Sequence, residues 1–265
     1  MRFTSIGSGS SGNSTLIIAG NTRLLVDVGL SARETVRRLR EVGQEPSQLT
    51  AIVITHEHAD HVGGMPVLAK QTGVPVYIAP ATRSASNLKE KDDTQISWAE
   101  PINSSVPFEI GTIRVTPVSV PHDAADPMIF TFEADGVKIA VVTDLGYIPQ
   151  HVAHRLRGCQ ALLLEANHDS DMLKIGPYPW ALKQRIASRR GHLSNHEMAR
   201  FLKEDFDGLA EYIILAHLSE SNNHPEIARL SALQALQQRE PLFSYDWEHR
   251  VKIAEQKTPM PWIEL

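Results

Sequence analysis

The densest chemistry in the chain lies in the run 55–61, THEHADH, where His56, His58, Asp60 and His61 follow one another closely. Imidazole nitrogen and carboxylate oxygen are both good ligands for a first-row divalent ion. In extended backbone, residues two apart project to the same side, so His56 and His58 can grip one ion together. Asp60 and His61 lie past the bend and can face a second ion. A polar loop with solvent-facing histidines is the plainer alternative. Four donors packed directly behind the apolar segment 51–55 argue against it.

One run is not a complete site, and further donors stand behind other apolar, β-rich segments. Asp27 follows 24–26, His122 follows 115–120 in VPHDA, Asp144 follows 137–142 in VTDLG, and His217 follows 212–216 in LAHLS. Each is weak alone. A lone histidine at a strand end is more often a surface or hydrogen-bonded core residue, and an Asp before Leu-Gly is more often a turn. Their joint placement at strand ends carries the signal, because functional groups hang from the ends of rigid elements.

The elements that must position these donors alternate. Strands are expected at 1–6, 15–19 and 22–26, with Gly20-Asn21 as a tight turn. Ser31 and Glu34 form a capping-box signature for a helix ending near Val42, before Gly43. A buried strand at 51–55 empties into His56. A helix follows from near His61 to before Gly73, then a strand at 74–79 and a helix at 80–91. Strands at 110–118, 128–134, 137–142 and 160–164 come next, with Asp135-Gly136 as a hairpin turn. The last third gives a helix at 195–203, a strand at 212–216, a helix at 225–238 opened by Pro225, and weaker strands at 243–247 and 250–254. This order predicts an α/β protein with two sheets between helices, in one domain over 1–265. The Gly/Ser tract GSGSSGNS, residues 7–14, lies between the first two strands and is therefore an integral loop.

The 265 residues, 42% hydrophobic and 22% charged, suit a globular protein with a substantial core. The single cysteine, Cys159, rules out an intrachain disulfide framework and suits a reducing compartment. The start lacks the basic-then-apolar pattern of a signal peptide, and no apolar stretch nears the roughly 20 residues that cross a bilayer. A cytoplasmic protein without membrane contact is expected. A net charge of −5 argues against coating nucleic acid by global attraction and leaves room for a local basic groove.

Asp27, the His56-x-His58-x-Asp60-His61 run, His122, Asp144 and His217, in this order, resemble the signature elements of the metallo-β-lactamase superfamily over nearly the whole chain. The resemblance implies an αββα four-layer sandwich, two mixed sheets flanked by helices, with a two-metal site at one edge. His56, His58 and His122 would hold the first ion, and Asp60, His61 and His217 the second. Asp144 would bridge both, and Asp27 would orient a ligand. A metal-bridging hydroxide would be the nucleophile, with Asp60 positioning or deprotonating it. With nitrogen and oxygen donors only, zinc, manganese and iron all fit.

A bridging Asp144 resembles the hydrolase and nuclease branches of that superfamily, not the lactam-cleaving ones. LEANHD, with Glu165 and His168, and RRGHLSNHE, with His192, resemble its phosphodiesterase branch. That likeness makes His192 the phosphate-contacting residue and general acid, with Glu165 holding its ring. Ser194 and Glu197 form a capping-box pattern right behind His192, so it is also a helix-entry residue. Lys183, Arg185, Arg189 and Arg190 place a basic run just before it. The motifs GSGSSGNS, EANHD, GPYP, GHLSN and HLSESNN together resemble the YycJ/WalJ type of stand-alone metallohydrolase, which implies 5′→3′ exonuclease action on DNA. The same likeness points to Ser10, Ser11, Gly12, Asn13, His168 and Asn223 as substrate contacts. The rivals are a hydrolase of a small cyclic phosphodiester or a thioester, and a metal-binding sensor or scaffold without catalysis. The scaffold reading would expect a lost ligand or acid, and none is lost.

Overall fold

The computed structural model describes residues 1–238 and 246–265. Strands run at β1 (Arg2–Gly7), β2 (Ser14–Ala19), β3 (Thr22–Val26), β4 (Ala51–Val53), β5 (Val76–Tyr77), β6 (Phe108–Ile110), β7 (Ile113–Ser119), β8 (Met128–Ala134), β9 (Val137–Val142), β10 (Ala161–Glu165), β11 (Tyr212–Ala216), β12 (Val251–Ile253) and β13 (Ile263–Glu264). The chain divides into two compact units that interleave in sequence: Met1–Ser119, Ala124–Gly136 and Glu255–Leu265 form the first, Val120–Asp123 and Val137–Ala254 the second.

In the first unit a six-stranded sheet has the order β13-β1-β2-β3-β4-β5. Its β1–β2–β3 part is antiparallel, closed by the turn at Gly20-Asn21, and β3–β4–β5 is parallel. The parallel part needs crossovers, which the helices Ala32–Glu41 and Met65–Thr72 provide. Ile6, Leu16, Leu25, Leu39, Ile52 and Leu68 fill one core cluster between sheet and helices. The same unit carries the antiparallel ladder β6-β7-β8.

In the second unit β9, β10, β11 and β12 form a parallel sheet with Leu164 opposite both Val142 and Leu215. Every residue of β10 is buried, as expected where helices cover a parallel sheet. The helices Asn195–Glu204 and Pro225–Gln237 pack against one another. In open parallel sheets, functional groups collect beyond the carboxyl ends of the strands. Asp144 lies two residues past β9, Glu165 ends β10, and His217 follows β11, so this register brings all three to one sheet edge.

Several boundaries differ from those expected. The helix at 80–91 is two pieces, Pro80–Ala85 and Glu90–Asp93, because Asn87 takes a left-handed φ of 50°. The helix expected from His61 starts at Ala59 and breaks at Gly63-Gly64, where the Gly64 amide donates to the Val28 carbonyl (2.8 Å) rather than within a helix. The strand at 110–118 is a hairpin turning at Gly111. The strand at 74–79 shrinks to β5. Most of the strand expected at 243–247 lies outside the described residues; its last residue, Trp247, opens the helix Trp247–Arg250. Among the described residues, no helix is long and apolar enough to cross a membrane.

Candidate metal centre

In the first unit the short strand β4 delivers Thr55 and the histidine run past its carboxyl end. Asp27, just past β3, reaches across to it: Oδ1 accepts from the Thr55 amide (2.9 Å), and Oδ2 accepts from the Thr55 hydroxyl (2.8 Å) and from His61 Nδ1 (2.8 Å). A carboxylate at Nδ1 fixes the tautomer of His61 with its lone pair on Nε2, the form that binds a cation. His56 Nδ1 lies 3.0 Å from the Thr55 hydroxyl, while His56 Nε2 and His58 Nδ1 are 3.1 Å apart. That separation lets both bind one ion at about 2.0–2.1 Å. Thr55 was not singled out from the sequence; a hydroxyl between a buried strand and the first histidine was its only signal.

The Gly/Ser tract reaches the same loop. Asn13 donates from Nδ2 to the Asp60 carboxylate (3.2 Å) and carbonyl (3.3 Å), and lies 3.0 Å from His61 Nε2. Its amide donates to the Asp60 carbonyl (2.7 Å), and its Oδ1 accepts from Gly9 (2.8 Å). Ser10 and Ser11 are exposed at the tip of this turn, and Gly12 is buried beside Asn13. Gly29, absent from the sequence-based candidates, is required here: a Cβ on it would stand 1.6 Å from the Asp60 carbonyl oxygen.

The second unit gathers its donors from separate segments. Asp144, Glu165, His192 and His217 offer ligand atoms that all lie within 4.8 Å of one another. Glu165, fully buried, is the hub. Its Oε1 accepts from His192 Nδ1 (2.7 Å) and His217 Nδ1 (3.1 Å), and its Oε2 from the Leu145 amide (3.0 Å). Asp144 Oδ1 is 3.4 Å from His192 Nδ1 and 3.5 Å from His217 Nδ1. His122 Nδ1 donates to the Gly191 carbonyl (2.9 Å) and turns Nε2 toward Asp144 Oδ1 at 3.8 Å. Gly191 is a third residue the sequence did not reveal; a Cβ there would lie 2.2 Å from the Ile186 carbonyl oxygen.

The charges follow from these contacts. Burial works against a charged His192, yet the Glu165 and Asp144 carboxylates outweigh it and raise its pKa above 6.5. Burial also opposes a charged Glu165, but His192 and its hydrogen bonds hold the carboxyl below its ordinary range. Burial lowers His122, which therefore stays neutral at pH 7, as a metal-binding imidazole must. Asp27 (φ 60°), Asp144 (φ 63°) and His217 (φ 55°) all take left-handed backbone, a conformation that persists where surroundings enforce it and that clusters at functional sites.

Other expected contacts have different surroundings. Asn223 is buried, donating to the Ala166 carbonyl (2.8 Å) and exchanging hydrogen bonds with Asn195, so it clips EANHD to GHLSN. His168 is buried too, with its pKa lowered to about 4 chiefly by desolvation. The basic run is largely engaged. Arg185 pairs with Asp123, Arg190 donates to the His122 carbonyl (3.2 Å), and Arg189 lies 4.0 Å from the centre of the Tyr147 ring.

A family profile described as "Beta-lactamase superfamily domain" matches residues 22–218. The chain is 35% identical over 240 residues to a protein named exodeoxyribonuclease YycJ from Bacillus anthracis, covering 90% of each. It is 34% identical over 263 residues to one named exodeoxyribonuclease WalJ from Streptococcus pneumoniae, covering 99% of this chain and 98% of that one. Among solved structures, the metallo-β-lactamase fold protein YhfI from Bacillus subtilis superposes with a TM-score of 0.73 at 20% identity, over 98% of this chain and 99% of that one. The fold class expected from the motifs is the fold the chain has.

Proposed function

Because this chain belongs to the β-lactamase superfamily and is a metal-dependent hydrolase of that fold, we propose that it cleaves phosphodiesters, as a 5′→3′ DNA exonuclease, with residues 1–265 acting as one catalytic domain. The observation that carries this reading is the Glu165–His192 pair. A histidine with 21% of its side chain exposed is aimed by a buried carboxylate 2.7 Å away and is kept readily protonated. Such a group contacts an anionic phosphate and gives a proton to the leaving oxygen.

The donor chemistry fits two divalent cations. His61, His122 and His217 each commit Nδ1 to a protein acceptor, Asp27, Gly191 and Glu165 respectively, which selects Nε2 as the ligand atom. In this reading His56, His58, Asp60 and His61 of the first unit and His122, Asp144 and His217 of the second are the residues that would hold the cations. Zinc or manganese, and equally iron, suit these donors. Bound cations would supply Lewis-acid polarisation of the phosphate and a lowered pKa for water.

The chain's own residues do the rest. Asp60, held by the Asn13 amide, positions the attacking water and accepts its proton. As the phosphorus–oxygen bond breaks, the imidazolium of His192 gives its proton to the departing oxygen and becomes neutral, while Glu165 keeps the ring in place through Nδ1. The buried thiol of Cys159 suits a cytoplasmic setting.

The test is a product assay on single- and double-stranded DNA labelled at either end, with Mn²⁺ or Zn²⁺, using the parent, H192A and D60A. Stepwise release of mononucleotides from the 5′ end, lost in both variants, is expected. Cleavage of a small cyclic phosphodiester alone would transfer the assignment to that class. No cleavage by the parent with any metal would end it.

A further inference from the structure

The helices Ser170–Ile175 and Trp180–Ile186, both in the second unit, flank a groove of about 400 Å³ whose walls are mostly apolar. Trp180 lines it with 68% of its surface exposed. Lys183 and Gln184 follow Trp180 at helical spacings that place all three on one face. An open indole on an apolar groove offers a flat face on which a second ring can stack, and burying such a ring is strongly favourable.

Two further observations say what fits there. Lys183 is pinned across the groove by donating from Nζ to the Lys174 carbonyl (2.7 Å), and among the described residues no carboxylate pairs with it. It is therefore a positioned cation with donors to spare. His168 forms part of the groove wall, and its buried Nδ1 has no hydrogen-bond partner among the described residues. A buried polar atom left unsatisfied beneath an open groove calls for a polar partner.

The groove is also tied to the chemistry. His168 lies three residues past Glu165, and it forms a β-bridge to Ser194, two residues past His192. The Asn195 amide donates to the His168 carbonyl (2.9 Å), reinforcing that link. The groove wall thus stands on the two segments that carry the proposed acid and its orienting carboxylate.

We propose that this groove binds one unstacked nucleotide of the substrate strand, its base lying on Trp180 and a phosphate meeting Lys183. The inference rests on the phosphodiesterase reading and adds the place where that enzyme holds a single strand. Aromatic stacking accepts every base, and a nearby cation tracks the backbone, which is how sequence-tolerant strand binding works. The acidic chain needs such a local device because its net charge of −5 offers no general attraction to DNA.

The test uses the full chain and a fluorescein-labelled single-stranded oligonucleotide of mixed sequence. Binding is read by anisotropy on the metal-loaded protein with a phosphorothioate-linked strand that resists turnover, and kinetics are read separately with Mn²⁺ on the ordinary strand. W180A is expected to weaken binding about tenfold and W180F to stay near the parent, as replacing a stacking aromatic predicts. K183M is expected to lower the salt dependence of binding by about one phosphate contact. In kinetics both W180A and K183M should raise KM while leaving kcat within about twofold, the pattern of lost uniform binding. If W180A and K183M bind like a parent that does bind and cleave DNA, the groove is not a strand site and the phosphodiesterase reading stands. If the parent neither binds nor cleaves DNA, both fall together.

Discussion

In the first unit the candidate ligands come from one six-residue run, and a single carboxylate, Asp27, holds that run through Thr55 and His61. In the second unit they come from segments far apart in the chain, and Glu165 ties two of the histidines together. The first arrangement is local, so its geometry depends on a few short-range contacts. The second is a property of the sheet, so it depends on the register of β9, β10 and β11. Damage to the ligands of either cluster should therefore show as lost metal affinity, and damage to the Glu165–His192 pair of the second as lost chemistry with the metal retained.

The largest effect should come from His192. H192A is expected to reduce the rate of DNA cleavage by about 10²–10⁴-fold, the usual worth of a positioned general acid, with metal content unchanged. Steady-state kinetics beside elemental analysis checks both halves of that statement. Equal loss of metal would make His192 a ligand and not the acid. In the metal-free protein, E165Q should lower the pKa of His192, because the burial that opposes its charge would remain while the main opposing carboxylate charge disappears. Histidine proton NMR over pH 5–9 reads this directly.

Next in size is D27A, expected to weaken metal binding about 10–100-fold, the range for removing a carboxylate that orients a ligand. Chelator competition measures it. D27N, which can still accept from Thr55, should fall between D27A and the parent. If D27A binds metal as the parent does, the first cluster does not depend on its supporting carboxylate.

A smaller effect is expected at the close approach beneath Asp60. G29A must displace the Asp60 carbonyl, since its Cβ would stand 1.6 Å away. It should destabilise the metal-free protein by about 2 kcal/mol or more, in the range of overpacking a tight site. Urea unfolding gives the value, and an unchanged midpoint would show that this backbone is looser than described.

The smallest effect lies away from both clusters. Arg37 and Arg38 hold the Glu34 carboxyl down from 4.5 to about 2. The folded-state pKa is depressed, so the stabilisation is present above about pH 4.5 and is lost as the pH falls toward 2. E34Q should cost about 0.5–1 kcal/mol at neutral pH, a figure already reduced for solvent screening. The gap between variant and parent should close progressively below pH 4.5, with metal content unaffected throughout.

The same contrast explains what could be read from the sequence. The donors His56, His58, Asp60 and His61 are legible because they are contiguous and follow an apolar strand. His122, Asp144 and His217 are legible only jointly, as polar residues at strand ends. The strands β3, β8, β9 and β11 coincide with apolar runs because they are buried and regular. Thr55, Gly29 and Gly191 could not be found the same way. Their roles are a hydroxyl, a missing Cβ and a carbonyl, each meaningful only once a distant segment lies against it. The basic run before His192 is legible as charge but not as contacts, because a count of charges does not show that Arg185 pairs with Asp123, that Arg189 lies over the Tyr147 ring or that Arg190 donates to the His122 carbonyl. The helices Ser170–Ile175 and Trp180–Ile186 are short and lack a clear apolar period, and neither was anticipated.

The most direct test of the central claim is the divalent metal content per chain in the parent, H58A and H217A, after loading with Zn²⁺ or Mn²⁺ and desalting. Two ions per parent chain are expected, with a clear loss in each variant, because each removes a ligand from a different cluster. A parent that retains no ion, or variants that both retain as much as the parent, would contradict it.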